Sequence, residues 1–232
     1  MYQGQFSTEF LGSLSDELSL LLTTEGSSFT SVALNCIYKC NGDGRCIGLE
    51  ICKIREDLYQ CRACCFWMKL GKENSNKNLT NCRYLRKFEK ESTNVAVNKP
   101  ANMSSAFKPA YQRASNAVDN ITVCPNGLST AHTDFENRPW IKIDLQNTFD
   151  VAKVLVYNRQ DLHGGYLHSL LITVAENADE SDCGYYPGPA VNGDRVLVLC
   201  PSDTRGNFVT LQIQSGTNNM LQVCEVQVFV NV

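Results

Sequence analysis

Twelve cysteines restrict the fold of this 232-residue chain more than any other feature of its sequence. Eight of them lie within the first 92 residues and four follow. An even number of cysteines at uneven spacings is typical of a disulfide framework formed in an oxidising compartment. We therefore expect disulfide bonds and an extracellular location.

Three N-glycosylation sequons support this expectation, and they begin at Asn78, Asn102 and Asn120. The N-terminus shows no basic start followed by an apolar run, so no signal peptide is recognisable there. The only apolar cluster near it, Leu18 to Leu22, is far too short to span a bilayer. Without another transmembrane candidate, the mature chain is expected to be soluble and secreted.

The charge balance excludes two classes of partner. A formal net charge of −3 and a pI near 5.7 give no electrostatic reason to bind nucleic acid or an anionic membrane. Both partners require clustered lysine and arginine.

Composition divides the chain into three parts. Residues 1–26 are expected to form a poorly ordered N-terminal segment, residues 27–92 a cysteine-rich module, and residues 93–232 a strand-rich domain. The first 92 residues hold twelve basic residues and no histidine. The polar, basic stretch from Lys69 to Ser92 is predicted to end the first module and to serve as a linker.

The cysteine-rich module is predicted to be α+β. Ser27 or Ser28 can cap a helix that carries Cys36 and Cys40 on its apolar face, and the turn from Asn41 to Gly44 ends it. Cys46–Cys52 and Cys61–Met68 are predicted strands, to which the helix would be cross-linked through Cys46 and Cys52. This cysteine spacing resembles the PAN/Apple family of extracellular adhesion modules. Cys61 and Cys64 also have a zinc-like spacing, but a second such pair is missing, which favours disulfides.

The second region is predicted to be mainly β. Six segments alternate or run apolar between turn residues: 140–145, 151–157, 170–174, 196–199, 208–213 and 223–230. Short strands separated by loops rich in Gly, Pro and Asn favour an antiparallel β-sandwich or jelly roll.

One constellation within this region indicates a sugar site. His132 precedes Arg159 and Asp161, and these residues lie between predicted strands where the loops of a sandwich gather. Neutral imidazole offers a donor and an acceptor, and guanidinium offers a rigid fork of donors, which suits a pair of sugar hydroxyls.

With three further landmarks, residues 94–229 resemble the F-type lectin (fucolectin) family. These landmarks are Ser115–Asp119, Pro139-Trp140 with Asp144-Leu145, and Asn158–Asp161. The resemblance implies an F-type lectin-like jelly roll in which His132 and Arg159 contact fucose hydroxyls and Asp161 orients the arginine. The alternative is that Arg159 and Asp161 form a surface ion pair of little energetic value.

Two positions depart from the family pattern. Tyr166 stands where the family has its second basic residue, which removes a charged hydrogen bond. Leu162 and His163 occupy the positions of two adjacent cysteines that form a disulfide against the sugar in many members. Leu162 can offer an apolar surface, and His163 or His168 can replace the missing base.

The resemblance also implies a structural calcium ion. Its ligands would be the side chains of Asn116, Asp119 and Glu225, with backbone carbonyls around Ser129 and Thr130. Without the resemblance, Asn116 and Asp119 are ordinary turn residues. The family also pairs Cys183 with Cys200, which leaves Cys124 for Cys224.

No nucleophile elbow or phosphate loop is present in the sequence, so an enzyme is not expected. We predict a secreted, calcium-stabilised lectin for fucosylated glycans. The alternative is an extracellular adhesion module that binds protein or matrix and whose sugar site has decayed. Assembly into a homo-oligomer stays open.

Overall fold

The computed structural model describes residues 6–11, 13–14, 19–70, 74–75, 82–87, 92–177 and 179–231. The chain divides into two compact units, Met1–Glu91 and Ser92–Val232. Within the described residues, no helix is both long and apolar enough to cross a membrane.

The first unit combines one helix with a five-stranded antiparallel sheet in the order β1-β8-β4-β5-β3 and a two-stranded β2-β7 ladder. Its elements are β1 (Phe6–Leu11), β2 (Ser13–Leu14), β3 (Leu20–Gly26), α1 (Phe29–Gly42), β4 (Gly48–Arg55), β5 (Leu58–Cys64), β6 (Trp67–Lys69), β7 (Asn74–Ser75) and β8 (Cys82–Lys87). The Ser28 side chain caps α1, whose buried residues Val32, Cys36 and Cys40 form the face packed in the core.

Four disulfides lie in this unit: Cys36–Cys61, Cys40–Cys46, Cys52–Cys82 and Cys64–Cys65. Cys46 therefore joins the helix as expected, whereas Cys52 joins β8 and the helix bonds Cys61 instead. Glu50 lies beside Cys52 and Cys82, but sulfurs bonded to each other are not thiolate ligands for a metal. The likeness to PAN/Apple modules stays a prediction.

Two parts of the first unit contain more regular structure than the sequence indicates. The described part of residues 1–26 includes two paired strands, because Leu20–Gly26 pairs along β5 and Phe6–Leu11 along β8. The stretch 69–92 is more than a linker, since Cys82–Lys87 lies in the sheet between β1 and β4. Basic side chains in β8 conceal the alternation that marks a strand, and only the bond to Cys52 reveals its place.

The second unit is an antiparallel β-sandwich, which confirms the predicted fold class. Its strands are β9 (Ser92–Asn94), β10 (Ala101–Met103), β11 (Ala131–His132), β12 (Trp140–Asn158), β13 (Leu170–Glu176), β14 (Asp179–Tyr186), β15 (Arg195–Leu199), β16 (Arg205–Ile213) and β17 (Gln222–Asn231).

A single long strand, β12, belongs to both sheets of the sandwich. Its first part pairs with β10 and β16, and its second part pairs with β15 and β17. Ile141, Ile143 and Leu145 point inward and are fully buried, while the residues between them face outward. This alternation places a hydrophobic core between the sheets and leaves the strand ends free to carry loops.

Candidate functional site

A pocket of about 430 Å³ opens at one end of the sandwich and contains both His132 and Arg159. His132 ends the short strand β11 and pairs across to Gln222 at the start of β17, while Arg159 directly follows β12. The strand register therefore brings together residues that are far apart in sequence. The pocket lining consists of Phe107, Lys108, Gln112, Gly127, Leu128, His132, Phe135, Arg159, His163, Tyr166 and Met220.

The guanidinium of Arg159 is fixed from two sides. Its Nε and Nη2 atoms donate to the two carboxylate oxygens of Asp161, each over 2.7 Å, and Nη1 donates to Oε1 of Gln222. These bonds occupy three of its five N–H groups, which leaves two for a ligand. The same guanidinium holds the pKa of Asp161 well below its usual range.

Arg159 is only 7% exposed, so the alternative of a surface ion pair is wrong. Burial means that its partners cannot be replaced by bulk water without cost. Asp161 does not line the pocket, but its bidentate contact gives the arginine one defined orientation.

His132 is 4% exposed and acts as a neutral ring. Its Nδ1 atom lies 2.6 Å from the carbonyl oxygen of Thr133, which can only accept, so Nδ1 carries the proton. The other ring nitrogen, Nε2, is then an acceptor. Burial lowers the pKa of the imidazole, and the nearby charge of Arg159 lowers it further. Phe107 stacks on the ring with centroids 5.1 Å apart.

Phe135 and Tyr166 form an aromatic wall of the pocket, at the position where the F-type lectin family has its second basic residue. Tyr166 lines the pocket and contacts Phe135 edge-on, with ring centroids 6.1 Å apart, and His163 at 6.2 Å. Leu162 is 62% exposed and does not line the pocket. His168 also lies outside the lining, where its ring contacts Ser169 and Asn219.

The Gly164-Gly165 loop is held in place by hydrogen bonds to neighbouring side chains. Gly164 N donates to the side chain of Asn192 over 2.7 Å, and its carbonyl accepts from Asn158 over 2.9 Å. A Cβ at Gly164 would stand 2.5 Å from the backbone nitrogen of Asn192. Glycine is therefore needed there for close packing rather than for flexibility.

Several residues of this site carry no motif in the sequence. Gln222 contacts Arg159 only because β17 runs beside β11, and Gly127 reaches the same side chain from a 3₁₀ turn. Register between strands is a long-range property, so no local pattern could have identified them. The missed residues are Phe107, Lys108, Gln112, Gly127, Leu128, Phe135, Met220 and Gln222.

Among the residues expected to hold calcium, Asp119 lies beside Glu225 of β17. Glu225 is fully buried, its Oε1 atom accepts from Asn120 N over 3.2 Å, and its Oε2 atom has no hydrogen-bond partner. Burial, with a further contribution from the charge of Asp119, raises the pKa of Glu225 to about 8. A buried carboxylate beside a second acid, with one oxygen unsatisfied, fits a cation.

The other expected ligands lie close to one another. Asn116 Nδ2 donates to the carbonyl of Thr130 over 3.2 Å, which places both residues together. Thr130 is buried and its hydroxyl donates to Gly127 O, while Ser129 bonds the carbonyl of Asn126. These contacts connect Asn116 and Thr130 with the turn that supports Arg159.

Cys124 bonds Cys224 and Cys183 bonds Cys200, the pairing that the resemblance implies. The first bridge precedes Glu225 by one residue and ties β17 to the loop that carries the sequon at Asn120. Asn102 and Asn120 are both exposed, whereas Asn78 lies outside the described residues.

Comparison with known proteins gives a consistent result for this unit. No protein-family model matches the chain. Fucolectin-3 of Anguilla japonica is 27% identical over 143 residues, which cover 58% of this chain and 78% of the relative.

Two solved structures share the fold. The lectin domain of lectinolysin in complex with Lewis B antigen is 28% identical, with a TM-score of 0.53, and the match covers 61% of this chain and 99% of that one. A fucolectin from striped bass serum (Morone saxatilis) is 17% identical, with a TM-score of 0.54, over 81% of this chain and 78% of that one.

The matched proteins are named as lectins, which agrees with the prediction that this chain is not an enzyme. The landmarks around His132 and Arg159, the similarity to fucolectins and the shared sandwich together confirm that residues Ser92–Val232 resemble F-type lectin domains.

Proposed function

We propose that the second unit binds fucose-containing glycans in the pocket formed around His132 and Arg159. The observation that carries this proposal is the complementary pair of anchors: Nε2 of His132 accepts, and two N–H groups of Arg159 donate. Vicinal hydroxyls of a sugar need such a mixed set, because each hydroxyl both donates and accepts. Similarity to fucolectins and to a lectin domain bound to Lewis B antigen supports fucose as the recognised sugar.

The surrounding residues prepare these anchors before a ligand arrives. Asp161 and Gln222 fix the guanidinium, and Thr133 fixes the tautomer of the imidazole. A site whose side chains are already ordered loses less entropy on binding. The aromatic wall of Phe135 and Tyr166 offers an apolar surface for the C–H face or methyl group of a sugar.

Calcium belongs to the same proposal. Asn116, Asp119 and Glu225, with carbonyls near Ser129 and Thr130, would hold the ion, which would supply positive charge for the buried carboxylate. The unpartnered Oε2 atom of Glu225 supports this assignment. Because Thr130 contacts Gly127, an ordered ion site would also stiffen the turn beside Arg159.

We further propose that the protein is a secreted glycoprotein. Six disulfides support an oxidising environment, because cytosolic thiols are kept reduced. The exposed sequon residues Asn102 and Asn120 are accessible to modification. Mass spectrometry of the protein from culture medium tests both statements.

A second candidate is an adhesion module that binds protein or matrix and no longer binds sugar. The presence of Tyr166 instead of a basic residue favours this second candidate, as does the exposed ring of Phe135. A glycan array with free fucose as competitor separates the two candidates. Binding to fucosylated glycans that fucose abolishes supports the lectin, whereas no glycan binding in the presence of calcium contradicts it.

A further inference from the structure

Lys108 extends the pocket with a second cation that comes from an unexpected part of the chain. The amide of its neighbour Phe107 donates to His132 O over 3.1 Å, and the Phe107 ring stacks on the imidazole. The carbonyl of Lys108 accepts from Tyr111 N at 3.0 Å and Gln112 N at 2.9 Å. The backbone that presents Lys108 is therefore fixed against the sugar anchor.

The charge of Lys108 is not balanced within the lining. Its Nζ atom lies 5.6 Å from the centre of the Phe107 ring, and no carboxylate pairs with it in the part of the chain that the structure describes. Arg159 is neutralised by Asp161, and His132 is uncharged at neutral pH. Asp134 does not line the pocket and accepts from the Phe135 amide.

Donors outnumber acceptors among the side chains of the pocket. Lys108 offers three N–H groups and Arg159 two more, and neither accepts a hydrogen bond. The accepting side chains are the two histidine rings and the Tyr166 hydroxyl, because Oε1 of Gln112 is buried beneath the surface. A neutral hydroxyl must also donate, whereas sulfate and carboxylate oxygens only accept, so this pocket suits an acidic group.

We propose that Lys108 gives the site a preference for fucosylated glycans that carry an acidic substituent, sulfate or carboxylate, near the anchored sugar. The proposal rests on the proposed function, since His132 and Arg159 must first hold the sugar.

The test compares pairs of glycans that differ only in the acidic group: a neutral fucosylated oligosaccharide, its sulfated form and its sialylated form. Calorimetric titration with the full chain in calcium should show about two- to fivefold tighter binding of at least one acidic form at low salt, as for an exposed ion pair. The advantage of the acidic form should disappear at about 0.5 M salt, because dissolved ions screen the attraction between Lys108 and the acidic group. Whether sulfate or carboxylate gains more identifies the group that is recognised.

Lys108→Met should remove the advantage, so that neutral and acidic glycans bind with equal affinity, and Lys108→Arg should keep it. Lys142→Met is the matched control, because Lys142 also lies over a phenylalanine ring, at 4.4 Å from Phe208, but outside the pocket. Equal affinity of the wild type for neutral and acidic glycans, or an advantage that survives in Lys108→Met, overturns the proposal while the lectin function stands. If no fucosylated glycan binds at all, both the proposed lectin function and the proposed role of Lys108 are contradicted.

Discussion

Gly127 lies so close to Arg159 that a Cβ on the glycine would stand 2.5 Å from the Nη2 atom of the guanidinium. The same Cβ would be 3.4 Å from a carboxylate oxygen of Asp161. The backbone of Gly127 is not in the left-handed region, so glycine is required there because the arginine side chain lies so close. The orientation of the sugar anchor thus depends on a residue without a functional group.

Gly127→Ala should therefore weaken fucose binding without unfolding the domain. Displacement of the guanidinium breaks a charged hydrogen bond, worth about 1.5–3 kcal/mol, which corresponds to a loss of about ten- to hundredfold in affinity. Calorimetry measures the loss. Gly165→Ala is the control, because a Cβ at Gly165 meets nothing closer than 4.0 Å; equal effects of the two variants would contradict this role for Gly127.

Arg159→Ala should lower both affinity and stability. Removing one partner of a surface ion pair would change the stability little. The buried guanidinium instead bonds Asp161 and Gln222, and its loss leaves the buried Gln222 amide oxygen unpaired, which costs about 1–3 kcal/mol. Urea denaturation measures this cost. Arg205→Ala removes an exposed pair with Asp150 and should cost less than about 1 kcal/mol.

Acidification should weaken sugar binding through His132. The pKa of the folded imidazole lies below its ordinary value near 6.5. The stabilisation associated with the neutral ring is therefore fully present above about pH 6.5 and is lost as the pH falls through the folded pKa. Protonation also turns the Nε2 acceptor into a donor. Affinity for fucose should stay constant from about pH 8 to 6.5 and should decrease at lower pH. His168→Gln should show the same pH dependence as the wild type. An affinity that rises on acidification would exclude an acceptor role for His132.

Calcium should raise the melting temperature, and chelation should reverse the effect. Binding to the folded state alone stabilises by about 2.7 kcal/mol when free calcium exceeds its dissociation constant a hundredfold. Glu225→Gln should abolish this gain, while Glu176→Gln at the end of β13 should keep it. Without calcium at about pH 8 or above, Glu225→Gln should be at least as stable as the wild type, because it removes a buried charge. A calcium response that persists in Glu225→Gln contradicts the assigned ligand.

Tyr166→Arg should tighten fucose binding by about 1–2 kcal/mol, because it restores a charged donor. The bonds that Asn158 and Asn192 make to Gly164 already order this loop, so little of the gain is spent on fixing it. Tyr166→Phe is the companion variant, since it keeps the ring against Phe135 and removes only the hydroxyl. Unchanged or weaker binding of Tyr166→Arg in calorimetry would mean that the aromatic wall itself contacts the sugar.

The parts of the fold that the sequence predicts are those with strong local patterns. Alternation in 140–145 and 151–157 identifies the two parts of β12, but Gln146 to Asp150 hide that they are one strand. β14 begins with exposed acidic residues, and β9 to β11 are only two or three residues long. None of these strands therefore shows an alternation of apolar and polar residues in the sequence. His132 and Arg159 could be found because their spacing is shared with a family. Gln222, Gly127 and Lys108 depend on register and loop path, which a single sequence does not contain.

The length of β12 has a mechanical consequence. Arg159, the proposed sugar anchor, follows the last residue of this strand, so a pull on a bound glycan would be transmitted along the strand itself. Antiparallel ladder bonds lie across the strand direction, and such a load must shear the bonds to β15 and β17 together instead of opening them one by one. The position of the proposed anchor is therefore suited to resist force applied along β12.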